Sequence, residues 1–114
     1  MKIYIAGPMS GIPEYNYPAF KAAAKELHEL GFEVVAPLHD NPDNDWAKWI
    51  AKDIRILIDD GIERIYVLPN WLKSRGARLE VFLGLLLGIP VYDAIKFLPI
   101  SRSFVILQLL RSLE

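Results

Sequence analysis

The sequence predicts an α/β fold in which helices flank an open parallel sheet. Three observations support this prediction. Short apolar runs alternate along the chain with longer segments that have helical periodicity. Each apolar run ends in glycine, proline or a polar residue, as buried parallel strands commonly do. The order strand, helix, strand, helix, strand, helix, strand, with right-handed crossovers, then gives a three-layer sandwich of the Rossmann or flavodoxin type.

Four apolar runs are predicted as the strands of this sheet. They are short, rich in β-branched and aromatic residues, and poor in charge, which is typical of strands that are covered on both faces. Glycine and proline close to their ends provide the turns into the following segments. The four strands are predicted at KIYIAG (2–7), EVVAP (33–37), RIYVLP (64–69) and IPVY (89–92).

The first two helices are predicted over residues 18–31 and 45–61. The first begins with proline and ends at glycine, which are typical start and stop residues, and the second also closes on glycine. Each has an apolar stripe at helical spacing that would face the sheet. The stripes consist of Phe20, Ala23, Leu27 and Leu30 in the first helix, and of Trp46, Ile50, Ile54, Leu57 and Ile58 in the second.

Two further helices are predicted in the second half of the chain. Residues 76–88 form the third, and residues 100–114 form a fourth that begins at a cap provided by Ser101 or Ser103. Apolar residues cover more than one face of the fourth helix, so it is either wedged into the core or shared with a second subunit. For so small a domain we expect it at the interface of a homodimer or a higher homo-oligomer.

The composition describes a single domain. The 114 residues are enough for one core, and 53% of them are hydrophobic, which excludes a disordered chain. With 13 basic and 14 acidic residues the net charge is −1, so we expect neither nucleic acid nor a membrane surface as a partner. Cysteine is absent, and no segment resembles a signal peptide or a membrane span. The chain is therefore expected to be soluble and cytoplasmic.

The loop after the first strand is one candidate site, because ligands of open α/β sheets bind beyond the carboxyl ends of the strands. Glycines in this loop would let backbone N–H groups approach an anion or a sugar. The loop matches neither a Walker A motif nor a GxGxxG fingerprint. A tight turn that requires glycine is an equally good explanation. The candidate binding residues here are Gly7, Pro8, Met9, Ser10 and Gly11.

The loop after the third strand, NWLKSRGARLE, leads into the third helix and contains Ser74, Gly76 and Glu80. Unpaired N–H groups and the positive end of the helix dipole would favour an anionic group near Ser74 and Gly76. Glu80 lies about one turn into the helix, beside a run with no other ionisable residue. It is either a carboxylate held at a pocket or an acid that complements the helix dipole.

Other residues near these loops have competing interpretations. Asp53 borders the apolar stripe of the second helix, where it either lines the pocket or pairs with Lys52, Arg55 or another neighbouring residue. His39 follows the second strand and would line the pocket mouth. No second histidine stands at metal-ligand spacing, so we predict neither a metal site nor a cofactor. The tryptophans are interpreted as core or interface residues and not as base-stacking platforms; they are Trp46, Trp49 and Trp71.

Three motifs taken together resemble the nucleoside 2-deoxyribosyltransferase-like superfamily, in particular the small phage and bacterial proteins grouped as DUF4406. The resemblance covers residues 2–92 and follows the order of the strands. It implies an enzyme that acts on the N-glycosidic bond of 2′-deoxynucleosides or their 5′-monophosphates. The motifs are IYIAGPMSG, an aspartate on the helix before the third strand, and SRGARLE after that strand, followed by LGIPVY.

The resemblance also implies a retaining mechanism. Glu80 corresponds to the family's nucleophile, which attacks the anomeric carbon and forms a deoxyribosyl-enzyme ester. A carboxylate suits this step because the transition state is oxocarbenium-like and positive. Asp53 corresponds to the aspartate that protonates or orients the leaving base, and Tyr4 to an aromatic residue whose hydroxyl positions the nucleophile. The loop that begins at Gly7 would hold the sugar or its 5′ substituent.

One departure from the transferases concerns the 5′ group. Those that act on free nucleosides usually have aspartate six residues before the nucleophile, whereas this chain has Ser74. A serine at a helix start, with Arg75 and Arg78 nearby, would accept a phosphate that aspartate would repel. The resemblance therefore implies hydrolysis of 2′-deoxynucleoside 5′-monophosphates. The alternatives are base exchange on free deoxynucleosides and nucleotide binding without catalysis. Candidates for contacts with the base are Tyr15, Asn16 and His39.

Overall fold

A computed structural model describes residues 1–38 and 46–113 of the chain. Its sheet has the strand order β2-β1-β3-β4-β5. The first four strands run parallel to one another, whereas β5 pairs with β4 in the antiparallel direction. The predicted α/β fold is therefore confirmed. The strands are β1 (Lys2–Ala6), β2 (Glu33–Val35), β3 (Arg64–Val67), β4 (Val91–Asp93) and β5 (Pro99–Ile100).

The four predicted helices are present close to their predicted bounds. Two short 3-10 helices, Pro13–Asn16 and Trp71–Lys73, precede α1 and α3. Ser101 is the cap of α4, because its Oγ accepts a hydrogen bond from the N–H of Phe104 at 3.2 Å. No helix in residues 1–38 and 46–113 is long and apolar enough to cross a membrane. The α-helices are α1 (Tyr17–Glu29), α2 (Trp46–Asp59), α3 (Arg75–Leu86) and α4 (Arg102–Ser112).

The two faces of the sheet pack against different numbers of helices. Alternate residues of each strand point to opposite faces, so that Tyr4 packs with α2, α3 and α4, whereas Ile3 and Ile5 pack with α1. On the face covered by three helices the core includes Leu57, Ile65, Val67, Val81 and Val105. On the face covered by α1 it includes Phe20, Leu27, Tyr66 and Leu68.

The predicted apolar stripes are only partly buried. Leu30 is 59% exposed because it is the C-cap of α1, after which the chain turns at Gly31. Ile58 is 55% exposed because it lies about 100° around α2 from the buried Leu57. The predicted inward orientation of these two residues is therefore wrong. Asp53 takes the buried position between Ile50 and Leu57 instead.

Two arginines join α3 and α4, which lie side by side in antiparallel directions. Arg78, near the start of α3, donates from Nη1 to the carbonyl of Ser112 at the end of α4, at 3.2 Å. Arg102, at the start of α4, donates to the carbonyl of Leu85 in the last turn of α3, at 3.0 Å. Each guanidinium therefore binds the negative end of the opposite helix, where a cation is stabilising.

Candidate functional site

A cleft opens beyond the carboxyl ends of β1 and β3, the two adjacent strands at which the direction of the chain across the sheet reverses. Its walls come from the loop after β1, the buried side of α2 and the first turns of α3. The inner part of the cleft has a volume of about 50 Å³ and is lined by Gly7, Met9, Ser10, Pro37, Trp46, Trp49, Ile50, Asp53, Ser74, Gly76, Ala77 and Glu80.

An outer cavity of about 250 Å³ adjoins the inner cleft and shares several of its lining residues. It adds Pro8, Lys73 and Arg75 to the lining. Two carboxyl groups thus line the inner part, and two cations line the outer part. Together the two spaces reach the lower end of the ~300–1,000 Å³ that is typical of small-molecule sites.

Glu80 is the buried carboxyl group of the inner cleft. It is 3% exposed, and its Oε2 accepts a hydrogen bond from the hydroxyl of the fully buried Tyr4 on β1. Burial raises the pKa of Glu80 well above its usual range and Asp53 raises it further, whereas the hydrogen bond from Tyr4 lowers it. Burial and the charges of both carboxylates raise the pKa of Tyr4, so its hydroxyl remains a donor at neutral pH.

Asp53 reaches the same cleft from α2 and is 5% exposed. The alternative interpretation was an ion pair of Asp53 with Lys52 or Arg55. Both of these residues are exposed, whereas Asp53 is buried. The position of Asp53 therefore favours the pocket interpretation. The charge of Asp53 in the same buried cleft disfavours ionisation of Glu80 and is one cause of the raised pKa of Glu80.

Ser74 links the outer cavity to α3. Its Oγ caps the helix by accepting a hydrogen bond from the N–H of Ala77 at 3.1 Å. The N–H groups of Arg75 and Gly76, in the first turn, have no intrahelical acceptor. A Cβ at Gly76 would lie 3.5 Å from Ile50 Cδ1 and 3.6 Å from Trp46 Nε1, so it would narrow the cleft without a clash. Glycine thus keeps this part of the cleft open.

The loop after β1 contributes both structure and lining. Gly7 is required by close packing, because a Cβ there would lie 2.8 Å from Leu68 Cδ1. The Asn16 amide braces the loop by donating to the carbonyl of Pro8 at 2.9 Å. Met9 and Ser10 line both parts of the cleft. Met9 and Ser10 therefore lie where the predicted binding loop requires them. Gly7 also has a structural role, because it packs closely against Leu68.

Several predicted site residues lie elsewhere. Arg78 does not line the inner or outer cleft, because its guanidinium is bound to the end of α4. Gly11 supports a turn with φ +78°, and Tyr15 and Asn16 line neither part of the cleft. His39 lies outside the described residues. Those residues contain no group of three or more His, Cys, Asp or Glu that would hold a metal ion.

Two tryptophans interpreted as core or interface residues line the cleft instead. Trp46 and Trp49 are both part of its inner wall, and the guanidinium of Arg75 lies over the Trp46 ring at 3.7 Å. Their spacing of seven and four residues before Asp53 places all three on one side of α2. In the sequence, this spacing relative to Asp53 is the feature that identifies Trp46 and Trp49 as cleft residues. Trp71, in contrast, packs against the core.

The fold and the cleft together define a class: a small open-sheet α/β protein with a carboxyl pair at its topological switch point. Residues 1–93 match the family described as a domain of unknown function, DUF4406, and the chain belongs to this family. The match ends with β4, so β5 and α4 lie beyond it. No curated protein matches the chain.

Proposed function

We propose that the protein hydrolyses the N-glycosidic bond of 2′-deoxynucleoside 5′-monophosphates, with Glu80 as the nucleophile. The observation that carries this proposal is the buried Glu80 carboxyl, which accepts a hydrogen bond from Tyr4 and shares a cleft with Asp53. Burying one carboxyl beside another costs folding free energy, whereas complementing a helix dipole requires no burial. A carboxyl group whose pKa is strongly raised, as that of Glu80 is, is typical of a catalytic site when it lies in a cleft.

The geometry supports a two-step reaction. Tyr4 donates to Oε2 of Glu80, which leaves Oε1 to attack C1′ of the sugar as the bond from C1′ to the base nitrogen breaks. The bonding electron pair leaves with the base, and Asp53 donates the proton that neutralises it. Water then attacks C1′ of the ester, passes a proton to Asp53 and releases the Glu80 carboxylate.

The outer cavity supports a phosphorylated substrate. Lys73, Arg75 and the start of α3 place positive charge beside the Ser74 hydroxyl. The inner cleft carries the two carboxyl groups, so a substrate would place its anionic end outward and its cationic transition state inward. Arg75, which lines this cavity, replaces Arg78 as the expected guanidinium ligand of the 5′-phosphate.

The aromatic wall supports a nucleoside moiety between these two charged regions. Trp46 and Trp49 present indole rings to the inner cleft beside Asp53. Indole rings provide large apolar surfaces for a base or deoxyribose and reduce the water around the carboxyl groups.

The proposal is tested with the four deoxynucleoside 5′-monophosphates and the four free deoxynucleosides, each with and without a second base. Base release is followed by chromatography, with Glu80→Ala as the control for a contaminating enzyme. We expect release from monophosphates alone, without need of a second base. Base exchange on free nucleosides would instead identify a transferase. No release from any substrate, together with measurable nucleotide binding, would replace the proposal with a binding module.

A further inference from the structure

Trp46, the first residue of α2, borders both parts of the cleft. It lines the inner cleft together with Asp53, and the outer cavity together with Ser74 and Arg75. Its Nε1 lies 3.6 Å from the position that a Cβ at Gly76 would take, and the Oγ of Ser74 lies 4.0 Å from the same position. Two polar side-chain atoms therefore border one gap at the first turn of α3.

Three hydrogen-bond donors surround this gap. The indole N–H of Trp46 can only donate, and within residues 1–38 and 46–113 it makes no hydrogen bond. The Oγ of Ser74 accepts from the N–H of Ala77, which leaves its hydroxyl proton to donate elsewhere. The N–H of Gly76 has no acceptor within α3. Donors arranged in this way fit an anionic oxygen as their ligand.

The ring of Trp46 also positions a cation beside the gap. Arg75 is exposed, and its guanidinium lies 3.7 Å from the centre of the Trp46 ring. This cation–π contact restricts a long side chain that would otherwise sample many rotamers. The indole therefore holds the guanidinium at the outer cavity, which Arg75 also lines.

We propose that Trp46 determines the preference of the site for a phosphorylated substrate. Its indole N–H donates to an oxygen of the 5′-phosphate, and its ring holds Arg75 beside that phosphate. This inference rests on the proposed function, since it assigns a residue to the 5′-phosphate of the same substrate. A tryptophan that served only as an apolar wall would contribute equally to substrates with and without a phosphate.

The position of the gap relative to Glu80 supports this assignment. Gly76 and Glu80 lie four residues apart on α3, which corresponds to a rise of about 6 Å. A phosphate at the gap would therefore leave the anomeric carbon of the same deoxyribose within reach of the Glu80 carboxyl group.

The test measures the binding of 2-deoxyribose 5-phosphate, which carries the phosphate without a base and requires no turnover. The three tryptophans give three indole signals in a ¹H–¹⁵N spectrum, and Trp46→Phe assigns the signal of Trp46. We expect that signal to shift with 2-deoxyribose 5-phosphate and not with 2-deoxyribose. Trp46→Phe keeps a ring but removes the N–H, so the dissociation constant should rise ~10-fold, as for the loss of a hydrogen bond to a charged group. Trp46→Leu also removes the ring and should raise it a further ~2- to 5-fold.

Trp71→Phe is the matched control, because Trp71 lines neither part of the cleft. Its dissociation constant should equal that of the unmodified protein, and the spectrum of each variant shows whether that variant is folded. Unchanged affinity in both Trp46→Phe and Trp46→Leu would overturn the proposal. Failure of 2-deoxyribose 5-phosphate to bind the unmodified protein would also overturn it.

The outcome is separable from that of the proposed reaction. Binding that depends on Trp46, without release of base from any substrate, would retain Trp46 as a phosphate ligand and refute the hydrolase. Release of base from monophosphates with a KM that Trp46→Phe leaves unchanged would do the reverse. If both proposals hold, Trp46→Phe should raise the KM for the monophosphate ~10-fold at nearly constant kcat.

Discussion

Folding places the carboxyl group of Glu80 where its charged form is disfavoured. Its Oε2 accepts a hydrogen bond from Tyr4, while burial and the neighbouring Asp53 oppose ionisation. The proposed reaction nevertheless requires the carboxylate, since the protonated acid is a poor nucleophile. Two consequences follow at this residue, one for stability and one for the pH dependence of the rate.

Glu80→Gln should stabilise the protein while abolishing turnover. The folded-state pKa of Glu80 lies above its unfolded value, so between the two values the folded state binds more protons and the free energy of unfolding falls as pH rises. This penalty begins above the unfolded pKa and is complete above the folded pKa, and glutamine removes it while keeping an acceptor for Tyr4. We expect a gain of ~1 kcal/mol, or about 4 °C or more in Tm, by thermal unfolding at pH 7.5.

Glu33→Gln is the control for Glu80→Gln, because it makes the same chemical change at an exposed position of β2, away from any helix end. Its stability and its turnover should equal those of the unmodified protein. Retained turnover in Glu80→Gln would refute the nucleophile. A lower Tm than that of the unmodified protein would contradict the assigned cause of its raised pKa.

Tyr4→Phe should move the acid limb of the pH–rate profile to higher pH. The rate rises with pH as Glu80 ionises, and the hydrogen bond from Tyr4 lowers the pKa of Glu80. Removing this donor raises that pKa further, and each unit lowers the rate on the acid limb about tenfold. The measurement is kcat/KM from pH 4 to 9, with Tyr92→Phe on β4 as the control. An unchanged limb, or one moved to lower pH, would remove Tyr4 from the mechanism.

Ser74→Asp should keep the cap of α3 but weaken the binding of a phosphate. Aspartate caps a helix about as well as serine, so the fold should be retained, but its charge repels a 5′-phosphate in the outer cavity. We expect kcat/KM for the monophosphate to fall ~10- to 100-fold relative to that for the free deoxynucleoside. Ser101→Asp, at the cap of α4, makes the same change elsewhere. Equal effects of the two substitutions would place the phosphate away from Ser74.

At the scale of elements, the sequence predicts strands and helices well where periodicity and stop residues agree. The four helices and the four parallel strands were found in this way. In contrast, β5 has only two residues, too few to leave a periodic pattern, so it could not be predicted. The prediction that Arg78 lines the site is wrong, and the geometry of α3 gives the reason. Arg78 lies two residues, or about 200°, from Glu80 on α3 and cannot face the same cleft.

Gly84→Ala tests the packing of α3 on β3. The substitution favours the helix by ~1 kcal/mol, but the added Cβ would overlap Cδ1 of the fully buried Ile65. We therefore expect a net loss of ~1–2 kcal/mol in urea unfolding. Ile65→Val removes the overlapping carbon, so the double variant should lose less than the sum of the two single losses. Additive losses would show that Ile65 is not the obstacle.

At the scale of the whole molecule, the rule that ligands bind beyond the carboxyl ends of parallel strands correctly located the cleft. The rule identifies a region but not the side chains that meet there. The contacts of Trp46 with Arg75 and of Tyr4 with Glu80 depend on how α2 and α3 pack on β1. That packing is a long-range property, and a single sequence leaves it unspecified.

The surroundings of α4 are another long-range property that the sequence leaves open. Periodicity showed that α4 is apolar on more than one side, but only the three-dimensional arrangement shows that Phe82 and Leu86 of α3 continue its exposed side into one surface. One side of α4 therefore packs in the core, as one of the two predicted alternatives requires, and its other side exposes apolar residues.

The short strand β5 has a consequence for how the protein behaves when it is concentrated. An edge strand of a sheet offers unpaired N–H and C=O groups to which the strand of another molecule can add, which is a common start of fibril growth. Here that edge is two residues long, and one of them is Pro99, which has no N–H to offer. β5 thus closes this edge of the sheet to the addition of a strand from another molecule.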